Sequence, residues 1–286
     1  MTIHDTSQDL QAFEADWLDW QREHHARLAD RHGFLAITSL HWLSPQPQRF
    51  EDAPGAWSAD AAGVHVVLDD GDELLVDDVL VRGSYDFGVI AERGGINALW
   101  NDAVIEVAKR GGYDIVRPRH PDAPLRAAFQ GTPAYAPDPR WAVPGRYEAF
   151  DQPRPTTVGA AVEGLEHVYD AIGRISFEID EQPLMLTAFA AYEPGSLSVL
   201  FTDATSGVTT YAANRYVTVG APDAEGNLVL DFNRSANLPC AYTDLATCPL
   251  PPAENRLPVA IEAGQQTPFE RGGRQVERSK ATRGAT

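Results

Sequence analysis

The sequence has little of several features that mark particular classes of protein. The 286-residue chain contains only two lysines, Lys109 and Lys280, and two cysteines, Cys240 and Cys248. Two cysteines are too few for a four-cysteine zinc site, and a reducing cytosol disfavours a disulfide between them. No apolar run approaches the roughly 20 residues of a membrane helix. Residues 1–5 lack the basic start of a secretory signal. We therefore expect a cytoplasmic protein with no membrane partner.

The short motifs of common catalytic and cofactor sites are also missing. There is no G-x-S-x-G nucleophile elbow, no phosphate-binding G-x-x-x-x-G-K-[ST], no G-x-G-x-x-G after a strand and no H-E-x-x-H. None of the eight histidines lies beyond His167. The sequence thus gives no evidence for a nucleotide cofactor, a structural zinc or another metal. An enzyme stays open, because catalytic triads are defined by geometry and not by sequence order.

The charge of the chain argues against nucleic acid as a partner. The formal net charge is −18, which repels phosphate backbones. Hydrophobic residues make up 43% of the chain, an ordinary fraction for a globular protein, and 286 residues suffice for a substantial core. The composition leaves the oligomeric state unknown.

Apolar residues at helical spacing predict an amphipathic helix from about Ser7 to Asp30. Ser7 is a suitable N-cap, and Gly33 is a suitable stop just past the end. We assign residues 7–43 to a helical N-terminal segment that docks on a sheet. The residues on the apolar face are Leu10, Phe13, Trp17, His24 and Leu28.

Short strands and turns follow, beginning with a first β region over residues 50–117. Within it, residues 64–68 and 73–76 flank Asp69-Asp70-Gly71-Asp72, which predicts a hairpin. Residues 118–155 are rich in proline, which lacks the backbone donor of a sheet ladder, so we predict a loop with brief strands at most.

The clearest β pattern lies in residues 172–264. Strands are expected at residues 174–179, 184–192, 197–202, 209–219 and 228–232. Their connections are too short for parallel crossovers, so the strands form an antiparallel meander that curls into a barrel or packs as a sandwich.

The predicted fold is therefore mostly β, an antiparallel meander, barrel or sandwich with an N-terminal amphipathic helix. We expect residues 7–270 to form a single β-rich domain. Residues 1–6 are expected to be a flexible N-terminus and residues 271–286 a disordered tail.

Polar residues gather where the C-terminal strands end. A strand ends at Asp203, and a turn through Thr205-Ser206-Gly207 leads to Tyr211 and Arg215. One interpretation is structural, since Asp and Thr side chains bond nearby backbone amides in turns. The other places these side chains in a common pocket.

The run from Asp231 to Gly264 holds the remaining candidates. An ordered loop on a rigid scaffold commonly carries function, but the same loop can serve as a cover that closes the open end of the β structure. In that case Arg234 and Arg256 would pair with Asp231 or Glu254. The candidate pocket residues are Asp203, Tyr211, Arg215, Asp231, Asn233, Arg234, Tyr242, Asn255 and Arg256.

These stretches resemble a known family. The relevant motifs are Asp231-Phe232-Asn233, Pro239-Cys240-Ala241-Tyr242, Cys248-Pro249-Leu250-Pro251-Pro252 and Glu254-Asn255-Arg256-Leu257, with Phe201 to Gly207 upstream. Together they resemble the family known as domain of unknown function 1684. The N-terminal helix, Gly33-Phe34-Leu35 and Leu40-His41-Trp42-Leu43 are similar to its pattern as well. The resemblance implies no particular reaction.

The chain departs from the family pattern in two stretches, the loop at residues 235–241 and the position of Trp100. Members tend to read Ala-Tyr-Asn-Pro-Pro-Cys-Ala, whereas this chain has Ala236 at the tyrosine and Leu238 at the first proline. Trp100 stands where members usually carry a basic residue. If the family tyrosine contacts a ligand, Ala236 has lost that contact, which implies altered specificity or an inactive member.

Two functional hypotheses follow. In the first, the chain binds a small polar or anionic molecule, as a binding protein or a hydrolase-like or other enzyme. Arginine would hold a carboxylate or phosphate, and an aspartate would act as a base. In the second, the chain is a non-catalytic interaction or scaffold protein, and the C-terminal motif is a structural plug.

Overall fold

The computed structural model of the protein describes residues 6–271. Contacts divide the chain into two compact units, and each is described by itself. Unit 1 holds residues 6–25, 131–244 and 248–271 of the described chain, and unit 2 holds residues 26–130 and 245–247. Contact grouping does not reveal which parts fold together, so the single domain over residues 7–270 stays a prediction. The predicted flexible residues 1–5 and tail residues 272–286 lie outside the described residues.

The predicted N-terminal helix is confirmed, but it begins before the predicted N-cap Ser7, and the predicted helical segment does not reach residue 43, because His41–Trp42 form a strand. Helix α1 spans Thr6–Leu28. Trp17, His24 and Leu28 on its apolar face are buried, whereas Leu10 near its start is 48% exposed. The Trp17 indole Nε1 donates a hydrogen bond of 2.9 Å to the carbonyl of Asn233, which links the helix to the rest of unit 1. Within residues 6–271, no helix is long and apolar enough to cross a membrane.

Unit 2 contains two antiparallel sheets. Trp57, Leu74 and Ile105, drawn from both sheets, are buried in one shared core. A short helix, α2 (Pro124–Ala128), follows the last strand. One sheet has the order β1-β10-β9-β8-β5-β6, with β1 at His41–Trp42, β5 at Leu74–Val76, β6 at Val79–Val81, β8 at Gly95–Trp100, β9 at Ala103–Arg110 and β10 at Tyr113–Arg119. The other has the order β2-β3-β4-β7, with β2 at Gln48–Phe50, β3 at Ala53–Asp60, β4 at Gly63–Val67 and β7 at Ser84–Gly88.

Unit 1 contains one six-stranded antiparallel sheet that includes the predicted meander. Asp180 and Glu181, with φ values of 50° and 63°, both adopt the left-handed backbone conformation that a two-residue hairpin turn requires. The order is β15-β14-β13-β12-β11-β16, with β11 at Ala142–Gly159, β12 at Glu166–Ile179, β13 at Gln182–Ala190, β14 at Leu197–Phe201, β15 at Arg215–Val219 and β16 at Asn227–Asp231.

The unit 1 sheet curls into a half-barrel. Strand β16 follows β15 in the chain but pairs with β11 at the opposite edge, so the last strand does not extend the meander in order. The half-barrel encloses a core. Strand β14 contributes Phe201 to it, and the run from Asp231 to Gly264 (the family run) contributes Phe232, Leu257 and Ile261. The predicted fold class, mostly antiparallel β with an N-terminal helix, is confirmed.

The predicted hairpin at Asp69-Asp70-Gly71-Asp72 is wrong. Strand β4 before it pairs with β3 and β7, whereas β5 after it pairs with β6 and β8 in the other sheet. The turn residues mark where the chain reverses, but they do not decide which strands pair. The predicted strand at 209–219 is likewise shorter, since β15 begins only at Arg215.

The predicted proline-rich loop at 118–155 is also wrong in its second half, where the 18-residue strand β11 begins at Ala142. Pro153 lies within the register shift between Ala149 and Arg154, and Pro155 lies beyond the segment that β16 covers. Bulges and edge positions are the places where a strand tolerates proline. Pro153 and Pro155 are therefore compatible with the strand.

Candidate functional site

Asp203 and Arg215 form a buried ion pair on the inner face of the half-barrel. Arg215 Nη2 lies 2.8 Å from Asp203 Oδ2, and both side chains are fully buried. The same guanidinium donates to the carbonyls of Ile261 at 3.0 Å and Ala263 at 2.5 Å. The central carbon of the guanidinium, Arg215 Cζ, lies 5.2 Å from the centre of the Phe201 ring. Burial lowers the pKa of Arg215, and the Asp203 carboxylate opposes that effect.

The other oxygen of Asp203 organises its own turn. Asp203 Oδ1 accepts hydrogen bonds from the Thr205 amide at 2.8 Å, the Thr205 hydroxyl at 2.6 Å and the Ile261 amide at 3.2 Å. Aspartate in a turn commonly bonds the amide two residues on. Here that local bond is combined with a link to the family run, so the Asp203–Arg215 pair fastens residues 261–263 to the sheet.

Asp231, Asn233 and Arg234 stabilise the first turn of the family run. Asp231 caps the 3₁₀ turn at residues 232–234 by accepting from the Asn233 amide at 3.1 Å. The buried Asn233 side chain accepts from the Asp138 amide at 2.9 Å and donates to its carbonyl at 3.0 Å. Arg234 pairs with Asp231 at 3.1 Å and with Asp16 of α1. Arg234 thus pairs with Asp231 as the cover interpretation predicts, whereas the pairing that it predicts for Arg256 is not found within residues 6–271.

Asn255 and Tyr242 are buried and bonded within the protein. Asn255 accepts from the Thr187 amide at 2.7 Å and donates to the carbonyls of Thr187 at 2.9 Å and Leu200 at 2.8 Å. The Tyr242 hydroxyl lies 2.8 Å from Thr132 Oγ1, and burial raises the pKa of the phenol. Both residues hold the family run in place.

Tyr211 and Arg256 differ from the other candidates because they line a cavity of about 630 Å³ in unit 1. Arg256 is exposed, and within residues 6–271 its guanidinium has no hydrogen bond or ion pair. Arg271, Asp244 and Thr202 also line the cavity. The structure thus separates the predicted residues into a cavity group and a group whose side chains are bonded within the protein and mostly buried, the buried group.

The alternation of β14 places this cavity on the outer face of the sheet. Leu197, Val199 and Phe201 are buried in the core, whereas Ser198, Leu200 and Thr202 are only partly buried. Successive side chains of a strand point to opposite faces. Thr202 therefore faces away from the core, and the Pro251-Pro252-Ala253 segment lies over that face as another wall of the cavity.

Arg271 is held in place by the family run. It donates to the carbonyls of Cys240 at 2.9 Å and Ala241 at 3.3 Å, and it pairs with Asp244 at 2.6 Å. The prediction that Arg271 belongs to a disordered tail, based on the basic residues and small residues around it, is wrong. No local signal marked its partners, which lie some 30 residues earlier in the chain.

Two buried cysteines, Cys240 and Cys248, form no disulfide with each other and lie beside Tyr211. The Cys240 amide donates to Cys248 Sγ at 3.2 Å. A hydrogen bond from Cys248 lowers the pKa of the Cys240 thiol, and Tyr211 and Arg271 act in the same direction, against burial. Burial raises the pKa of Tyr211, and Cys240 adds to the rise. Tyr211 therefore presents a protonated phenol beside the cavity.

Ala236 lies away from this cavity. It is 1% exposed and exchanges backbone hydrogen bonds of 2.8 and 2.9 Å with Tyr216. Within the described chain, no group of three or more His, Cys, Asp or Glu side chains is placed to hold a metal ion.

Unit 2 contains a serine, a histidine and an aspartate in contact, which the sequence analysis did not single out. Ser39 Oγ lies 2.6 Å from His41 Nε2 and 2.7 Å from Asp52 Oδ2, and the same His41 nitrogen lies 3.1 Å from Asp52 Oδ1. A catalytic triad needs the carboxylate on the other ring nitrogen, so that the histidine is oriented toward the serine. The contacts of this group therefore do not match a triad.

Comparison with known proteins gives a family and no activity. No curated protein matches the chain. Among solved structures, the chain is similar to the solution NMR structure of an uncharacterized protein of Haloarcula marismortui, with 33% sequence identity and a TM-score of 0.42 over 51% of this chain and 81% of that one. A family model matches residues 127–266. The predicted resemblance of the earlier stretches, residues 33–43 among them, lies outside that match and stays a prediction. Through residues 127–266 the chain belongs to the family described as Protein of unknown function (DUF1684).

Proposed function

We propose that unit 1 binds a small anionic molecule, most simply a carboxylate, in the cavity lined by Tyr211, Arg256 and Arg271. The observation that carries the proposal is the presence of two arginines and one aspartate on a cavity of about 630 Å³, in a chain whose net charge is −18. A locally positive cavity on a strongly acidic protein is the arrangement expected of a site that selects anions.

Arg256 supplies the primary contact. Its backbone is fixed by a parallel bridge to Thr202, and the Leu257 amide donates to the Thr202 carbonyl at 2.8 Å. Within residues 6–271 its guanidinium is unpaired. A guanidinium presents a planar fork of donors that matches a carboxylate in two hydrogen bonds. The fixed backbone and unpaired side chain together leave that fork available to a ligand.

Arg271, Thr202 and Tyr211 complete the polar wall. Arg271 is prevented from moving by the two carbonyls and the carboxylate that it contacts. The Thr202 hydroxyl can donate a further hydrogen bond, and the protonated Tyr211 phenol, which bonds to Cys240, adds a neutral polar group to the wall. Residues held in place before the ligand arrives reduce the entropy lost on binding.

We favour binding over catalysis. Asp244, the one carboxylate among the described residues that line the cavity, is paired with Arg271 at 2.6 Å, so it is not available as a general base. The proposed setting is the cytoplasm, where the two buried cysteines would stay reduced, and no nucleic acid partner is proposed.

The alternative, a scaffold with the C-terminal motif as a structural plug, has an observation of its own in its favour. Asp203, Arg215 and Asn255 have their hydrogen bonds within the protein. Those residues support a plug on the inner face, whereas the cavity lies on the outer face. A plug and a binding site are therefore compatible in one chain.

Calorimetry and thermal shift with a panel of small carboxylates and phosphates test the proposal. We expect at least one anion to raise the melting temperature. Arg256→Gln should weaken its binding about 10- to 100-fold, since hydrogen bonds to charged groups contribute roughly 1.5–3 kcal/mol. The matched control is Arg146→Gln, which alters an exposed arginine of β11 outside the cavity. The proposal fails if no anion stabilises the protein, or if Arg256→Gln binds as well as the unmodified chain.

A further inference from the structure

We infer that the ligand is amphipathic, a carboxylate that carries a short apolar chain or ring. This inference rests on the proposed anion site and adds a second, apolar binding region to it. The structural basis is a smaller side cavity that adjoins the main cavity of about 630 Å³.

The side cavity has a volume of about 90 Å³ and an almost wholly apolar wall. Tyr169, Phe189 and Leu200 supply much of that wall, from three neighbouring strands of the unit 1 sheet. No charged side chain of the described chain lines it. An apolar wall of this kind favours hydrocarbon over any charged group, because burying an unpaired charge is costly.

The two cavities share part of their walls. Leu250 and Pro252 line both of them, whereas Pro249 lines the side cavity and Pro251 the main one. This segment is rich in proline, and the Leu250 amide donates to the Gly159 carbonyl at 2.7 Å. The segment is therefore a rigid common wall, and one ligand can contact both cavities along it.

The outer face of β14 gives the distance between the apolar and the anionic regions. Leu200 lines the side cavity, and Thr202, two residues on along the same face, lines the main cavity beside Arg256. A strand advances about 3.3 Å per residue, so the two regions lie about 7 Å apart along the chain. A carboxylate at Arg256 therefore has its substituent within reach of the side cavity when the substituent is several carbons long.

The chain-length dependence of binding tests this inference. We would measure the affinities of acetate, butanoate, hexanoate and adipate for the full chain by calorimetry. Each methylene that enters the side cavity should strengthen binding about three- to fourfold. Adipate, which has the length of hexanoate but a charge at its far end, should bind at least tenfold more weakly than hexanoate.

Variants that fill the side cavity should abolish the preference. Ala190→Phe and Ser198→Leu alter residues that line only the side cavity. Either should reduce the affinity for hexanoate to that for acetate without weakening acetate binding. Ala149→Phe alters an exposed alanine of β11 that lines neither cavity and is the matched control. Circular dichroism would show whether either variant misfolds. If one of them does, the other still tests the inference.

The outcomes separate the inference from the proposed function. If acetate, hexanoate and adipate bind with equal affinity, or if both filled variants keep the preference for hexanoate, the side cavity is not a ligand site and the anion site alone stands. If none of the four carboxylates binds, both the inference and a carboxylate site at Arg256 are overturned.

Discussion

The two faces of the unit 1 sheet use arginine in opposite ways. On the inner face, Arg215 is fully buried and bonded to Asp203 and to the backbone of the family run. On the outer face, Arg256 is exposed beside a cavity and unpaired within residues 6–271. Both arginines lie next to β14, at Phe201 and Thr202 respectively. The difference shows that residue type alone does not mark a site, because a guanidinium enclosed inside the protein is out of reach of a ligand.

The strongest test of this comparison is the removal of the inner arginine. Arg215→Met should lower the free energy of unfolding by about 3–5 kcal/mol, because it leaves the Asp203 carboxylate buried and unpaired. Urea denaturation would measure the loss, with Arg146→Met as the control for an exposed arginine. A variant that unfolds like the unmodified chain but no longer binds anions would assign Arg215 to the ligand site and reverse the comparison.

Unit 2 contains a second buried carboxylate paired with arginine, and its contribution to stability should depend on pH. Glu106 lies 2.8 Å from Arg117 Nη2 and also contacts Arg110 and Arg119. Burial alone would raise the pKa of Glu106, but Arg117 and Arg119 together hold it below its usual value. Its contribution is therefore fully present above the unfolded pKa of about 4.3 and is lost as the pH falls through the lower folded value.

Glu106→Gln should accordingly cost about 3 kcal/mol at neutral pH and reduce the loss of stability on acidification below about pH 4. Urea denaturation of both proteins from pH 7 to pH 3 would measure the two slopes. Equal slopes would show that Glu106 does not titrate as its surroundings indicate.

The smallest effect is expected at the outer face. Tyr211→Phe removes a hydroxyl that lies beside the cavity and bonds to Cys240, and it should weaken anion binding by no more than about three- to tenfold, the net contribution of one typical hydrogen bond. Calorimetry would measure the affinity, and the free energy of unfolding should change by less than about 1 kcal/mol. A large loss of stability with unchanged affinity would move Tyr211 from the cavity group to the buried group.

Local patterns predicted the elements better than their pairing. The helical spacing around Trp17 correctly predicted α1, and the short connections after Ile179 correctly predicted the meander. In each case the residues that form the signal lie within a few positions of one another. The predictions of a hairpin at Asp69 and of a loop in place of β11 are wrong, because pairing partners and edge positions are set by distant residues. Arg271 was missed for the same reason.

The sequence by itself determined that the chain is acidic and mostly antiparallel β, and that it carries the family run from Asp231 to Gly264. Composition and alternation suffice for those conclusions, since both are properties of neighbouring residues. Which of the candidate polar residues are bonded inside the protein and which reach a cavity is set by the folded structure. That division depends on the curl of the sheet and on the alternating faces of β14, which bury Asp203 and Arg215 and leave Tyr211 and Arg256 at the outer face.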